Sequence, residues 1–137
     1  SGGIANGTVL EPDSEIMGMG GSLYVLNGGS AVNTEVVQGS MFISSGGAAV
    51  NTQVSHRYSE MGDILSGVLY VSKGGKADNI TAHTGGSVFI SSGASALNIK
   101  ENGGYVNVAD GANVTFASNT ISGLILSCAI FNSSIYI

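Results

Sequence analysis

Gly20-Gly21-Ser22-Leu23-Tyr24-Val25-Leu26-Asn27-Gly28-Gly29, followed by Ser30-Ala31-Val32-Asn33-Thr34-Glu35-Val36, is a phrase that the chain begins again at Gly39-Ser40-Met41-Phe42-Ile43-Ser44-Ser45-Gly46-Gly47. One unit is a short apolar alternation, a glycine turn and an Ala-x-Asn segment. Self-similarity at a fixed period decides architecture before any local propensity does. Working outward, the core triplets are Leu23-Tyr24-Val25, Met41-Phe42-Ile43, Leu69-Tyr70-Val71, Val88-Phe89-Ile90 and Val106-Asn107-Val108, with Leu124-Ile125-Leu126 as a sixth that has lost its glycine turn. Their last members are spaced by 18, 28, 19 and 18 residues, so the period is 18 to 19 with an insertion of about ten residues between Ser55 and Ser66. An alanine column runs Ala31, Ala49, Ala77, Ala96, Ala112. Behind it stands an asparagine column, Asn33, Asn51, Asn79, Asn98 and Asn113, headed by Asn6.

Successive side chains of a strand point to opposite faces, so the first and third members of each triplet share a face and the middle one opposes them. The shared face is aliphatic in every copy; the other carries Tyr24, Phe42, Tyr70, Phe89 and then Asn107. Stacked in register, the units give a dry aliphatic ladder and an exposed aromatic one. Each buried aliphatic side chain contributes roughly 1.5–3 kcal/mol. One unit closes no core alone, whereas a stack of several does. The pattern predicts an all-β fold, a parallel β-solenoid of about six turns.

Composition agrees. The 137 residues make one domain's worth of chain. An apolar share of 43% argues against disorder despite 22 glycines, and charged residues at 9% fall far below the globular norm of about 25%. The net charge of −5, with Arg57, Lys73, Lys76 and Lys100 as the cations, leaves no basic patch to displace counterions from nucleic acid. Cys128 stands alone, so no internal disulfide forms. The most apolar run, Leu124 to Phe131, is too short for a membrane-spanning helix. The opening Ser1-Gly2-Gly3 matches the middle of a unit, which predicts an excised or processed fragment. The chain is expected to be a single solenoid domain over 1–137: an irregular N-terminal turn at 1–19, regular turns at 20–54 and 67–120, an insertion loop at 55–66 and a terminal turn or cap at 121–137.

Several constellations bear on chemistry. The insertion gathers His56, Arg57, Glu60 and Asp63 in a chain otherwise poor in such groups. It is either a binding loop or a solvated excursion in which charge simply tolerates water. Calcium rolls need an aspartate at one place in each repeat, and Asp13, Asp63, Asp78 and Asp110 share no column. One cysteine and two histidines far apart in sequence, His56 and His83, offer no zinc spacing. Lys76 and Asp78 lie close, yet the next unit offers Ala94, Ala96 and Asn98 at the matching places, so no acid–base pair assembles for polysaccharide cleavage. No enzyme, cofactor or metal is expected. The asparagine column reads as an amide ladder, and the sequons at Asn6, Asn79 and Asn113 follow from that column meeting threonine. The aromatic column is either a sugar-stacking or partner surface, or is stacked on itself. Serines around the glycine turns, Ser44-Ser45, Ser72 and Ser91-Ser92, suit simple turn chemistry.

The phrase Gly-Gly-x-Ala-x-Asn-Thr-x-Val at Gly28 to Val36 and Gly46 to Val54, with Phe42-Ile43-Ser44-Ser45-Gly46-Gly47, resembles the strand-loop-strand repeat of bacterial autotransporter adhesins of the diffuse-adherence type. The resemblance covers about residues 20–54 and 67–115. It implies a right-handed parallel β-helix, secreted and displayed on a Gram-negative cell surface, acting in adhesion to host or neighbouring cells, self-association and biofilm formation. It also implies an O-heptosyltransferase as partner, with Ser44, Ser45, Ser72, Ser91 and Ser92 as acceptor candidates; Asn27 and Asp110 stand where two turns lack the serine. The family's translocating β-barrel is not in this sequence. The leading expectation is thus a non-catalytic adhesive segment with Tyr24, Phe42, Tyr70, Phe89, His56 and Arg57 as its binding-surface candidates. Two others stand beside it: a carbohydrate-binding module using the aromatic column and the insertion, and a glycan-processing domain.

Overall fold

The structure, a computed structural model, describes residues 3–10, 21–58, 62 and 64–117. Its thirteen strands are β1 (Ile4–Asn6), β2 (Val9–Leu10), β3 (Gly21–Val25), β4 (Ser30–Val36), β5 (Gly39–Ile43), β6 (Ala48–Val54), β7 (His56–Tyr58), β8 (Ile64–Val71), β9 (Lys76–His83), β10 (Ser87–Ile90), β11 (Ser95–Asn102), β12 (Tyr105–Val108) and β13 (Asn113–Phe116). No helix occurs among the described residues. Two parallel sheets alternate along the chain. One runs β1-β4-β6-β9-β11-β13, with β2 also on β4; the other runs β12-β10-β8-β5-β3. Consecutive coils pair in register, as expected of a parallel β-helix, and the triplets align as the repeats require: Leu23, Met41, Leu69, Val88 and Val106 form one column, and Val25, Ile43, Val71, Ile90 and Val108 another. The sixth triplet and the terminal turn lie outside the described residues, as do residues 11–19 of the N-terminal turn expected at 1–19 and the insertion's Glu60 and Asp63.

From the coil of Met41 to that of Ile90 the inward columns are dry, whereas Val106 is half-buried and Val108 exposed. Met41, Ile43, Leu69, Val71 and Val88 are fully buried on one sheet; Ala31, Val36, Ala49, Val54, Ala77, Ile80, Ala82, Ala96 and Ile99 face them from the other. On that second sheet a volume exchange keeps the filling constant. Two coils carry Thr34 with Val36 and Thr52 with Val54; the next carries Ile80 with Ala82, so a larger side chain in one column is matched by a smaller one in its neighbour. The column Leu10, Val36, Val54, Ala82 ends on Glu101, whose carboxyl is pushed above the ordinary value by partial desolvation.

Each long strand of the second sheet is broken in its middle by an asparagine with positive φ: Asn33 at 56°, Asn51 at 58°, Asn79 at 61° and Asn98 at 55°. A left-handed residue interrupts the strict alternation of a strand. In β4, Ala31 and Thr34 are both buried while Val32 and Asn33 both lie outward. The asparagines are therefore corners of the coil. Gly7, at φ 70°, holds this place in the first coil.

The last coil departs from the expected columns. Ala96 pairs with Val114, not Ala112, and Ser95 pairs with Asn113. Ala112 instead closes the glycine turn, donating its N–H to the Ala109 carbonyl, where earlier coils have Gly29, Gly47, Gly75 and Ala94. Ala112 thus stands two places before the alanine column, and Asn113 pairs three places before Asn98. Ile99 then pairs with Phe116, so this coil lacks the corner residue, and the Thr115 hydroxyl accepts from the Asn98 N–H instead.

Candidate binding face and turn column

The outward face of the five-stranded path holds two parallel columns. One is Tyr24, Phe42, Tyr70, Phe89 and Asn107; two residues earlier along each strand stand Ser22, Ser40, Val68, Ser87 and Tyr105. In-register pairing brings the rings face to face: centroids of Tyr24–Phe42, Phe42–Tyr70 and Tyr70–Phe89 lie 4.8, 5.0 and 5.3 Å apart, with planes within 15°. The strand spacing of about 4.8 Å sets this stack. Where the column loses its aromatic at Asn107, Tyr105 from the adjacent column leans across. Its ring meets Phe89 edge-on at 5.8 Å and its hydroxyl accepts from Asn107 Nδ2. The ladder is thus five rings long. Tyr105 was missed in the sequence, although its place two residues before Asn107 on the same face was there to be read.

A sugar stacks on an open ring face, and the faces of Phe42 and Tyr70 are covered by their neighbours. What the ladder offers outward is ring edges and the exposed Tyr24, Tyr70 and Tyr105, a protruding ridge.

The glycine turns form a second ordered feature. Ser44 to Gly47 and Ser72 to Gly75 are four-residue turns, the last N–H donating to the first carbonyl at 2.8 Å in each. Glycine at positive φ occupies the third position, as in Gly46 and Gly74 at 81°, which a type II turn requires. The turns also bond to one another: the N–H groups of Gly28, Gly46, Gly74 and Gly93 donate to the carbonyls of Gly46, Gly74, Gly93 and Gly111, at 3.0–3.1 Å. The acceptor candidates sort into two columns. Ser44, Ser72 and Ser91 open the turns; Ser45 and Ser92 take the second position beside Asn27, Lys73 and Asp110. Ser45, Ser91 and Ser92 are exposed, Ser44 and Ser72 partly so. The hydroxyls of Ser45 and Ser92 lie over Gly74 and Gly111 of the following coil.

The insertion is an antiparallel hairpin: His56 pairs with Ser66, Arg57 with Leu65 and Tyr58 with Ile64, while Ser55 and Gly67 carry the coil past it. His56 does not project as a free ligand. Its Nδ1 donates to the Thr84 carbonyl at 2.5 Å, and its ring covers Gly85, leaving no room for a side chain there. On the coil of Thr84, His83 sits between two amides: Asn102 Nδ2 donates to its Nδ1 at 3.3 Å, which leaves Nε2–H to donate to Gln53 Oε1 at 3.1 Å. Coiling brings the two histidines to one corner, yet no three His, Cys, Asp or Glu side chains gather into a metal site among the described residues.

The asparagine ladder is continuous for four rungs. Asn33, Asn51 and Asn79 each donate Nδ2 to the Oδ1 of the asparagine before, Asn6, Asn33 and Asn51, at 3.3, 3.1 and 2.6 Å. Asn98 turns instead to Asp78 Oδ1 at 2.9 Å. Asp78 is flanked in its column by Val50 and Leu97, so no second carboxylate faces it there.

No protein-family model and no curated protein matches the chain. Among solved structures it is similar to a TibA fragment, residues 55–350 of that protein, hyper-glycosylated by TibC: 30% identity and a TM-score of 0.55 over 83% of this chain and 43% of the other. The chain thus spans less than half the length of that fragment.

Proposed function

We propose that this chain is a non-catalytic passenger segment of a bacterial surface adhesin with strand-loop-strand repeats, acting in adhesion or self-association and carrying O-linked sugars on its turn serines. The observation that carries the sugar assignment is the turn column: Ser45 and Ser92 stand exposed at equivalent second positions of rigid, mutually hydrogen-bonded turns. Likeness at 30% identity to a fragment that TibC glycosylates supports the same reading. Ser44, Ser72 and Ser91, one residue earlier, are the other acceptors, with an O-heptosyltransferase as the modifying partner. Residues 1–137 are one β-helical domain in this reading, secreted and displayed on a Gram-negative cell, and the hairpin at 55–66 is an ornament on it.

Co-expression with a TibC-type glycosyltransferase tests the assignment by intact mass and peptide mapping. Heptose-sized increments on turn-serine peptides are expected, reduced in the Ser45→Ala/Ser92→Ala variant. An unmodified chain from that host, folded by circular dichroism, would remove the acceptor role.

A further inference from the structure

We infer that the outward face of the β3–β5–β8–β10–β12 sheet is a self-complementary docking surface for a second copy of this chain. The inference deepens the self-association arm of the function proposed above, and it rests on shape and charge.

The face is a ridge beside a trough. The ridge is the ring ladder Tyr24, Phe42, Tyr70, Phe89, closed by Tyr105. The trough is Ser22, Ser40 and Ser87, two residues back along the same strands and therefore about 7 Å away. Val68 is the one bulkier member between them. A twofold axis parallel to the stack exchanges the two columns, so each copy's ridge lies over the other's trough. That relation is isologous, and both stacks run in the same direction. The common strand spacing keeps ridge and trough in step over the coils of Ser22, Ser40 and Ser87.

Charge points the same way. The chain carries −5 overall, yet no Asp, Glu, Lys or Arg occurs in Gly21–Val25, Gly39–Ile43, Gly67–Val71, Ser87–Ile90 or Tyr105–Val108. Two copies approaching by this face bring no like charges together, whereas the acidic remainder of the surface repels. Tyrosine and serine also supply contact area and adaptable hydrogen bonds at low entropic cost. Five strands about 4.8 Å apart and two columns wide make a strip on the order of 300 Å² per copy, well under the roughly 800 Å² per partner of a stable complex. The association is therefore weak and transient.

Sedimentation equilibrium of the unmodified chain from micromolar to millimolar concentration reads this out. A monomer–dimer equilibrium in the high-micromolar to millimolar range is expected. Tyr70→Lys on the ridge weakens it at least about tenfold. Ser40→Phe, which fills the trough while adding apolar surface, also weakens it, whereas general stickiness would increase. Leu97→Lys, on the other sheet, leaves it unchanged. Circular dichroism and thermal unfolding verify that each variant folds. A chain monomeric at millimolar concentration, a dimer indifferent to both face variants, or a monomer that binds oligosaccharide through this face would each overturn the inference. A monomer that still accepts turn sugars leaves the passenger reading standing, and a dimer that accepts none does the reverse.

Discussion

Asn33, Asn51, Asn79 and Asn98 each hold a backbone conformation that ordinary L-residues adopt at a cost of roughly 1–2 kcal/mol. Asparagine is among the few side chains that tolerate it, and here its amide also bonds the coil before. Asn51→Ala is expected to destabilise by about 1–2 kcal/mol, and Asn51→Gly by clearly less, because glycine pays no such penalty. Urea unfolding of the two variants checks it; equal losses would mean that the amide ladder, not the corner, sets the cost. The column and its ladder were expected from the sequence, although of its six members Asn6 pairs with Val32 and Asn113 with Ser95. The corner was not, because a repeating Asn looks alike whether its φ is negative or positive; only the in-out-out-in burial around it reveals the turn. Inside the same strands, the hydroxyls of Thr34 and Thr52 are buried without a hydrogen-bond partner. Thr52→Val keeps the shape and removes that desolvated group, so a gain of about 1 kcal/mol in thermal or urea unfolding is expected.

Among the elements, the glycine turn has the narrowest tolerance. A Cβ on Gly74 would lie 2.5 Å from Ser45 Oγ on the preceding coil, at a φ of 81°. Gly74→Ala should therefore cost about 2 kcal/mol or more, and adding Ser45→Gly should recover only the steric part, leaving the backbone penalty. Full recovery by urea unfolding would contradict a left-handed Gly74. The strands themselves were legible: a period of 18 to 19 and a triplet of alternating polarity suffice to pair Leu23 with Met41 and Leu69. The ring ladder was legible as a column but not as a stack, since register says which residues neighbour and not how their planes lie. The insertion illustrates the opposite limit. Its charges stood out in the sequence, but they did not tell that His56 places its Nδ1 on the Thr84 carbonyl and its ring over Gly85. Nothing in the local sequence of 55–58 announces a partner almost thirty residues away.

For the whole molecule, two sheets of in-register coils mean that each coil rests on its neighbours and on little else. The carbonyl-to-amide links of the glycine turns, Gly28 to Gly46 to Gly74 to Gly93 to Gly111, run lengthwise, from one end of the stack toward the other. A tether pulling the two ends apart therefore loads these links head-on and in sequence rather than sharing the force across a sheared set. Held in an optical trap, the chain is expected to give way by peeling at low force. Most events should release one coil of 18 to 19 residues, about 6 nm of slack, and the coil that carries the insertion should release 28 residues, about 9 nm. A single abrupt rupture of the full length would show that the coils hold together laterally more strongly than they hold along the axis. Coils joined by such lengthwise links yield one at a time, so gradual extension rather than sudden failure is the expected answer to a steady pull.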